Sequence, residues 1–325
     1  MGPYAYKDRQ WVGYDDAATL RRKAEYVRSM GLGGGMVWAL DLDDFSNRCG
    51  LGCHIIVISY YYYYIIIIRC GQGRHPLMHA IKAVLGPARE AEEVSQEQEM
   101  VVERDKEADQ ADNTDDDEDN TVLDGADGDE SESDAEVADD GHKVVCYFTN
   151  WAWYRPQGGK YQPRDIQADL CTHIVYGFAV LDPDTLTIKP HDTWADFDNG
   201  QLKVSIAENI NNILFLDFYK QVTALKSKKR KVLLAIGGWN DSEGDKYSRL
   251  VNSGSSRAAF VQQVASFLLA NNFDGLDLDW EYPKCWQVDC SLGPDQDKRG
   301  FADLIKELHF AFKPKGCSIH IHLDV

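Results

Sequence analysis

From residue 143 onward the chain alternates short, nearly unbroken apolar runs with longer stretches whose apolar residues recur every three or four positions. The short runs lie at 143–148, 173–179, 231–238 and 274–280. Runs of that length, rich in Val, Ile, Leu and aromatic residues, predict strands buried on both faces. Ser255 to Asn271 and Gly300 to Phe312 carry helical periodicity instead. Strands alternating with helices in this way imply a parallel sheet with crossover helices, an α/β fold. A weaker run at 317–323 is a candidate fifth strand.

The run at 274–280 breaks the apolar rule in an ordered way. From Leu276 to Glu281 apolar and acidic residues alternate strictly, and Tyr282 and Pro283 end the pattern. In a strand, Asp277, Asp279 and Glu281 share one face while Leu276, Leu278 and Trp280 share the other. Neighbouring carboxylates then sit about 6–7 Å apart. In a dry setting they cannot all ionise, so protons are shared and at least one pKa is pushed up. A carboxyl that keeps its proton near neutral pH is suited to general acid work. Two plainer readings fit less well. A solvated strand would mix Lys and Thr with its acids, and a calcium loop needs a glycine at its sixth position and a glutamate at its twelfth, which this stretch lacks.

Asp-Gly-x-Asp-x-Asp-Trp-Glu-Tyr-Pro, complete from Asp274 to Pro283, resembles the signature of family-18 glycoside hydrolases, the chitinases and chitinase-like lectins. Three more segments stand in that family's order: Cys146 to Trp151 (CYFTNW), Cys171 to Ala179 (CTHIVYGFA) and Lys231 to Trp239 (KVLLAIGGW). They resemble the first three barrel strands of an arthropod-type chitinase, with 274–281 as the fourth. The resemblance implies an incomplete (β/α)8 TIM barrel, strands one to four or five, with its chemistry at the carboxyl ends of the strands.

It also implies roles. Glu281 would protonate the glycosidic oxygen, Asp279 would orient the substrate's own 2-acetamido nucleophile, and Asp277 would share a proton with Asp279 and tune it. Asp274 lies off the acidic face, where support and function are equally good readings, and Gly237 and Gly238 end strand three as structural residues. Sugar rings stack on exposed aromatic faces, which makes Trp239, Tyr147, Phe178 and Tyr282 candidates for substrate binding, although burial in the core is the competing reading. Trp38 resembles the tryptophan that floors the subsite of the cleaved sugar. The expected ligand is chitin or a chito-oligosaccharide, with no cofactor and no metal. The two activities compatible with the resemblance are hydrolysis of β-1,4-linked N-acetylglucosamine polymers and chitin binding without cleavage, and an inactive truncated fragment is a third outcome. The presence of Glu281 favours hydrolysis, because lectin members of the family typically replace the acid.

The domain organisation is unusual. Residues 1–88 resemble the end of a preceding barrel of the same family, with its seventh strand-to-helix unit and an eighth strand at 35–40. Residues 143–325 read as the front half of the next barrel, and 89–142 as an acidic, disordered linker. Between residues 90 and 141 there are 24 acidic and two basic side chains, which is −22 within a chain total of −19, so the remainder carries +3. The acidity is therefore local, as in self-repelling spacers, and nothing points to nucleic acid as a partner. Segments 51–68 and 200–217 interrupt the family pattern and read as foreign inserts, such as retained non-coding sequence. The first is rich in Ile and Tyr, and its apolar run is shorter than the roughly 20 residues of a membrane helix, so no membrane span is expected. Since strand eight neighbours strand one in a barrel, 35–40 could pair beside 143–148 as in a circular permutant.

The eight cysteines show no paired zinc-ligand spacing, and their even number fits an oxidising, extracellular compartment, although no signal peptide precedes them. Cys146 and Cys171 fall where the resemblance implies a disulfide, and Cys285 with Cys290 could close a loop beside the site.

Overall fold

The computed structural model describes residues 2–47, 55–60, 63–68, 73–86, 141–197, 217–315 and 318–321. The expected linker and the second insert lie outside the described residues except for their last positions.

Six parallel strands form the main sheet. They are β3 (Gly34–Val37), β6 (Lys143–Thr149), β7 (His173–Leu181), β9 (Lys231–Gly237), β10 (Gly275–Asp279) and β11 (Ser318–Ile321), in spatial order β11-β10-β9-β7-β6-β3. A short strand β8 (Ile188–Pro190) joins β7 antiparallel. The four central strands β6, β7, β9 and β10 are as apolar as the sequence demanded, because both of their faces are covered. On the outer face Phe148, Ile174, Tyr176, Leu234, Ile236, Leu276 and Leu278 pack with Phe260, Val264 and Leu268 of the helix Gly254–Ala270 and with Phe301, Leu304 and Leu308 of the helix Gln296–Phe312. On the inner face a smaller cluster of Tyr147, Val175, Phe178, Leu233 and Ala235 meets Ala39. The fold is an open portion of a (β/α)8 barrel.

The strand and helix expectations hold to within a few residues, and 317–323 does contribute a strand that pairs with β10 from Gly275↔Ser318. The expected seventh unit differs from its reading. Its helix forms at Ala17–Ser29, started by the Asp16 carboxylate that accepts from Thr19 N at 2.7 Å. The residues ahead of it do not join the sheet. Instead β1 (Tyr4–Lys7) and β2 (Gln10–Gly13) pair with each other as a hairpin. Within the first insert, β4 (Ile55–Tyr60) and β5 (Tyr63–Ile68) likewise form their own antiparallel pair. No described helix is long and apolar enough to cross a membrane.

The permuted pairing is present. β3 lies parallel to β6 in the register Gly34↔Lys143 to Val37↔Cys146. Gly34 is required there, since a Cβ would lie 2.0 Å from the Lys143 carbonyl oxygen. Polar groups lock the early segment onto the later one. The Asp41 carboxylate, 1% exposed, accepts from Thr149 Oγ1 at 2.9 Å and pairs with Arg155 at 2.5 Å. Arg74 donates to the Phe45 carbonyl at 2.6 Å and reaches Asp165, and His75 Nε2 lies 3.0 Å from the Asp165 carbonyl. Asp43 caps the helix Pro76–Leu85 from outside, accepting from Leu77 N and Met78 N at 3.1 and 3.0 Å, where the preceding His75 offers no side-chain cap. Burial outweighs these hydrogen bonds and raises the Asp43 carboxyl to about 6, and burial lowers the His75 imidazole.

Candidate functional site

The carboxyl ends of β6, β7, β9, β10 and β3 converge on one place. β10 supplies the acids. Parallel register sets Asp277 opposite Ala235 and Asp279 opposite Gly237, so both carboxylates lie on the inner face beside the small cluster. They are 2% and 5% exposed. Leu276, Leu278 and Trp280 point outward, and Trp280 stacks on Tyr247 with centroids 5.6 Å apart. The alternation read from the sequence is thus the real division of faces. Glu281 stands just past the strand, half-buried, with its backbone N–H donated to the buried Ser242 hydroxyl at 2.9 Å.

Tyr147 is buried, not presented to solvent as a sugar platform would be. Its hydroxyl donates to Asp277 Oδ2 at 2.7 Å, a hydrogen bond between two groups out of water. Phe178 is also on the inner face, although Tyr176 two residues earlier is on the outer one. A register irregularity between Tyr176 and Ala179 inverts the alternation there. Gly237 and Gly238 allow the close approach of these parts. A Cβ on Gly237 (φ +118°) would sit 2.1 Å from the Asp279 carbonyl oxygen, and one on Gly238 (φ +80°) 2.8 Å from the Phe178 ring. Gly238 N also donates to that Asp279 carbonyl at 2.7 Å.

Trp38, at the end of β3, is brought into this site by the β3–β6 pairing. Its ring lies 5.2 Å from Tyr147, 5.8 Å from Phe178 and 6.0 Å from Trp151, and it is 46% exposed. Trp151 stacks on Phe178 at 5.9 Å. The three rings make an aromatic wall with two partly exposed indoles. Asn150, beside Trp151, is tied down by Asp196, which also accepts from Tyr176 at 2.5 Å and whose pKa is raised by burial. Trp239, 44% exposed, occupies the loop after β9. That loop is braced by Asp241, which accepts from Leu181 N at 3.0 Å, from Tyr247 at 2.6 Å and from Lys246 at 2.5 Å. Tyr282 follows Glu281 and is half-buried.

Asp274 is structural in its contacts. Its carboxylate accepts from Val232 N at 2.7 Å and pairs with Lys226 at 3.1 Å, joining the starts of β9 and β10 far from the acids. Cys146–Cys171 and Cys285–Cys290 are disulfides. Trp151, Ser242, Asp241 and Gln287 were not singled out from the sequence. Trp151 ends a quoted motif and was findable as an aromatic at a strand end. The others act through loop geometry that no periodicity reports.

The model of glycosyl hydrolases family 18 matches residues 1–43 and 143–322. Probable chitinase 10 of Drosophila melanogaster is 45% identical over 339 residues, covering 97% of this chain and 13% of its own length. Chitotriosidase-1 of Mus musculus is 37% identical over 178 residues, with 54% of this chain and 32% of its own length covered. A crystal structure of Ostrinia furnacalis Group II chitinase catalytic domain 2, a mutant in complex with penta-N-acetylchitooctaose, superposes with a TM-score of 0.50 at 56% identity over 56% of this chain and 43% of its own. The chain therefore spans less than half the length of each of these proteins.

Proposed function

The chain belongs to the glycosyl hydrolases family 18, and from that premise we propose that its sheet carries a chitinase-type site for β-1,4-linked N-acetylglucosamine polymers. The carrying observation is the inner-face pair Asp277 and Asp279, with Tyr147 bonded to the first and Glu281 following at the strand end. The names of the relatives and the oligosaccharide in the Ostrinia complex support the substrate class.

In this reading Glu281 gives its proton to the glycosidic oxygen as the bond to the anomeric carbon breaks. The carbonyl oxygen of the substrate's 2-acetamido group attacks that carbon from the opposite face and forms a cyclic oxazolinium ion, the substrate-assisted route of this family. Asp279 accepts the acetamido N–H, which orients the nucleophile and offsets the developing positive charge. Asp277, held by Tyr147, exchanges a proton with Asp279. Glu281 then takes a proton from water, whose oxygen opens the ring at the anomeric carbon with net retention. Trp38, Trp151 and Trp239 offer the flat faces on which sugar rings stack. The two disulfides fit an oxidising, extracellular setting.

Binding without turnover is the second reading, because β3 ends the sheet among the described residues and the barrel is open beside Trp38. Proton NMR of chitopentaose incubated with the full chain separates the two. Early appearance of the β-anomer of shorter products supports the hydrolase. Line broadening of the pentamer without products supports the binding module, and neither effect overturns both.

A further inference from the structure

Immediately after Glu281 the chain makes a small ring, closed by Cys285–Cys290, to which neither the acid row nor the aromatic wall assigns a role. The ring is anchored on its far side by Asp297, which is fully buried and accepts from Trp286 Nε1 at 2.9 Å and from Lys284 N at 3.3 Å. Its base is drawn together by Gly293 N donating to the Lys284 carbonyl at 3.0 Å. On its near side it carries Gln287. The Gln287 backbone N–H donates to the Glu281 carbonyl at 3.0 Å, and its side-chain Nε2 donates to the Trp239 carbonyl, also at 3.0 Å. One residue thus bridges the end of the acid strand and the loop of an exposed indole. Gln287 and Val288 hold φ of +45° and +67°, a left-handed region that non-glycine residues seldom occupy unless their surroundings impose it.

We infer that Gln287 is a positioning residue that sets Glu281 against Trp239, and that the Cys285–Cys290 ring exists to hold it there. Ser242 closes the same circuit from the other side, since its hydroxyl takes the Glu281 N–H while its own N–H donates to the Gly238 carbonyl. The backbone of Glu281 is therefore clamped at both its N–H and its C=O, each time to a group tied to the Gly238–Trp239 turn. The inference rests on reading Glu281 and Trp239 as parts of one sugar site.

The test uses the full chain labelled with 5-fluorotryptophan, with the Trp239 fluorine resonance assigned by its loss in Trp239→Phe. Gln287→Glu keeps the size of the side chain but turns its donor into an acceptor facing the Trp239 carbonyl. Cys285→Ser/Cys290→Ser opens the ring, and Gln287→Ala is the substitute should either variant fail to fold. The expected result is a shifted or broadened Trp239 resonance in each variant, a melting temperature within about 2 °C of the parent for the Gln287→Glu variant and lower by several degrees for the opened ring, and affinity for chitopentaose lowered about tenfold. An unmoved Trp239 resonance in folded variants overturns the inference. The resonance is read without sugar, so it decides the clamp even if the parent chain fails to bind chitopentaose, a failure that would count against the sugar-site reading alone.

Discussion

Replacing Asp43 by asparagine isolates the contact that seats the helix Pro76–Leu85 against the sheet. In the native chain the Asp43 carboxyl is 4% exposed, accepts from Asp44 N, Leu77 N and Met78 N, and has a pKa raised to about 6, chiefly by burial. The groups around it are Asp44, His75, with Nδ1 4.0 Å away, and, beyond His75, Arg74 and Asp165. A raised carboxyl pKa means that the folded state binds the proton more tightly than the unfolded chain, whose value is 3.8. Stability therefore falls as pH rises between those two values, and the loss is complete above about 6. A shift of about two pKa units corresponds to about 3 kcal/mol. His75 works in the opposite direction, because its lowered pKa makes the folded state lose stability as pH falls below the unfolded imidazole value. Only the difference between parent and variant separates the two groups. Urea unfolding of both chains at pH 4, 5, 6 and 7 should show the asparagine variant gaining on the parent by about 2.4 kcal/mol from the acid end to the neutral end, since pH 4 already lies slightly above the unfolded value. A gap that stays constant within about 0.5 kcal/mol would refute the assignment of a buried, proton-holding Asp43.

Three further outcomes follow from single contacts. Tyr147→Phe removes the hydroxyl on Asp277 while keeping the ring against Trp38, and thermal melts should show a loss of about 1–3 kcal/mol, the cost of taking a donor away from a buried acceptor. Arg155→Met leaves the Asp41 carboxylate buried without its cation, and a loss of about 3–5 kcal/mol with earlier proteolysis of residues 1–47 is expected. Gly237→Ala drives a methyl group into the Asp279 carbonyl, and it should yield a chain that folds poorly or not at all, as judged by soluble expression and circular dichroism.

The strands were legible because parallel strands covered on both faces must be apolar throughout, and the one run that broke that rule marked the acids. Alternation assigned Asp277 and Asp279 to one face and Trp280 to the other correctly. At Phe178 an irregularity in β7 changes the face, and residue type carries no signal of it. Tyr147 left both readings open, for an aromatic residue at a strand end is the same letter whether it offers its ring to a sugar or its hydroxyl to a carboxylate. The residues ahead of the helix Ala17–Ser29, expected by resemblance as the strand of a seventh unit, pair with each other as a hairpin instead. The docking of Trp38 depended on which edges the rest of the chain leaves free, and the sequence offered it as one arrangement among others. Ser242 and Gln287 act by single hydrogen bonds from loops to backbone, and loop paths leave no periodicity to read.

The account turns on Glu281 acting as the proton donor of a site built from both segments of the chain. The most direct measurement is calorimetric titration of chitopentaose into the full chain and into Glu281→Gln, with mass spectrometry of the sugar recovered from each cell. The amide fills the volume of the carboxyl but cannot donate its proton to a leaving oxygen. The account predicts equal affinity, shorter oligosaccharides from the parent, and intact pentamer from the variant. Equal cleavage by both chains, or no binding by either, would contradict it.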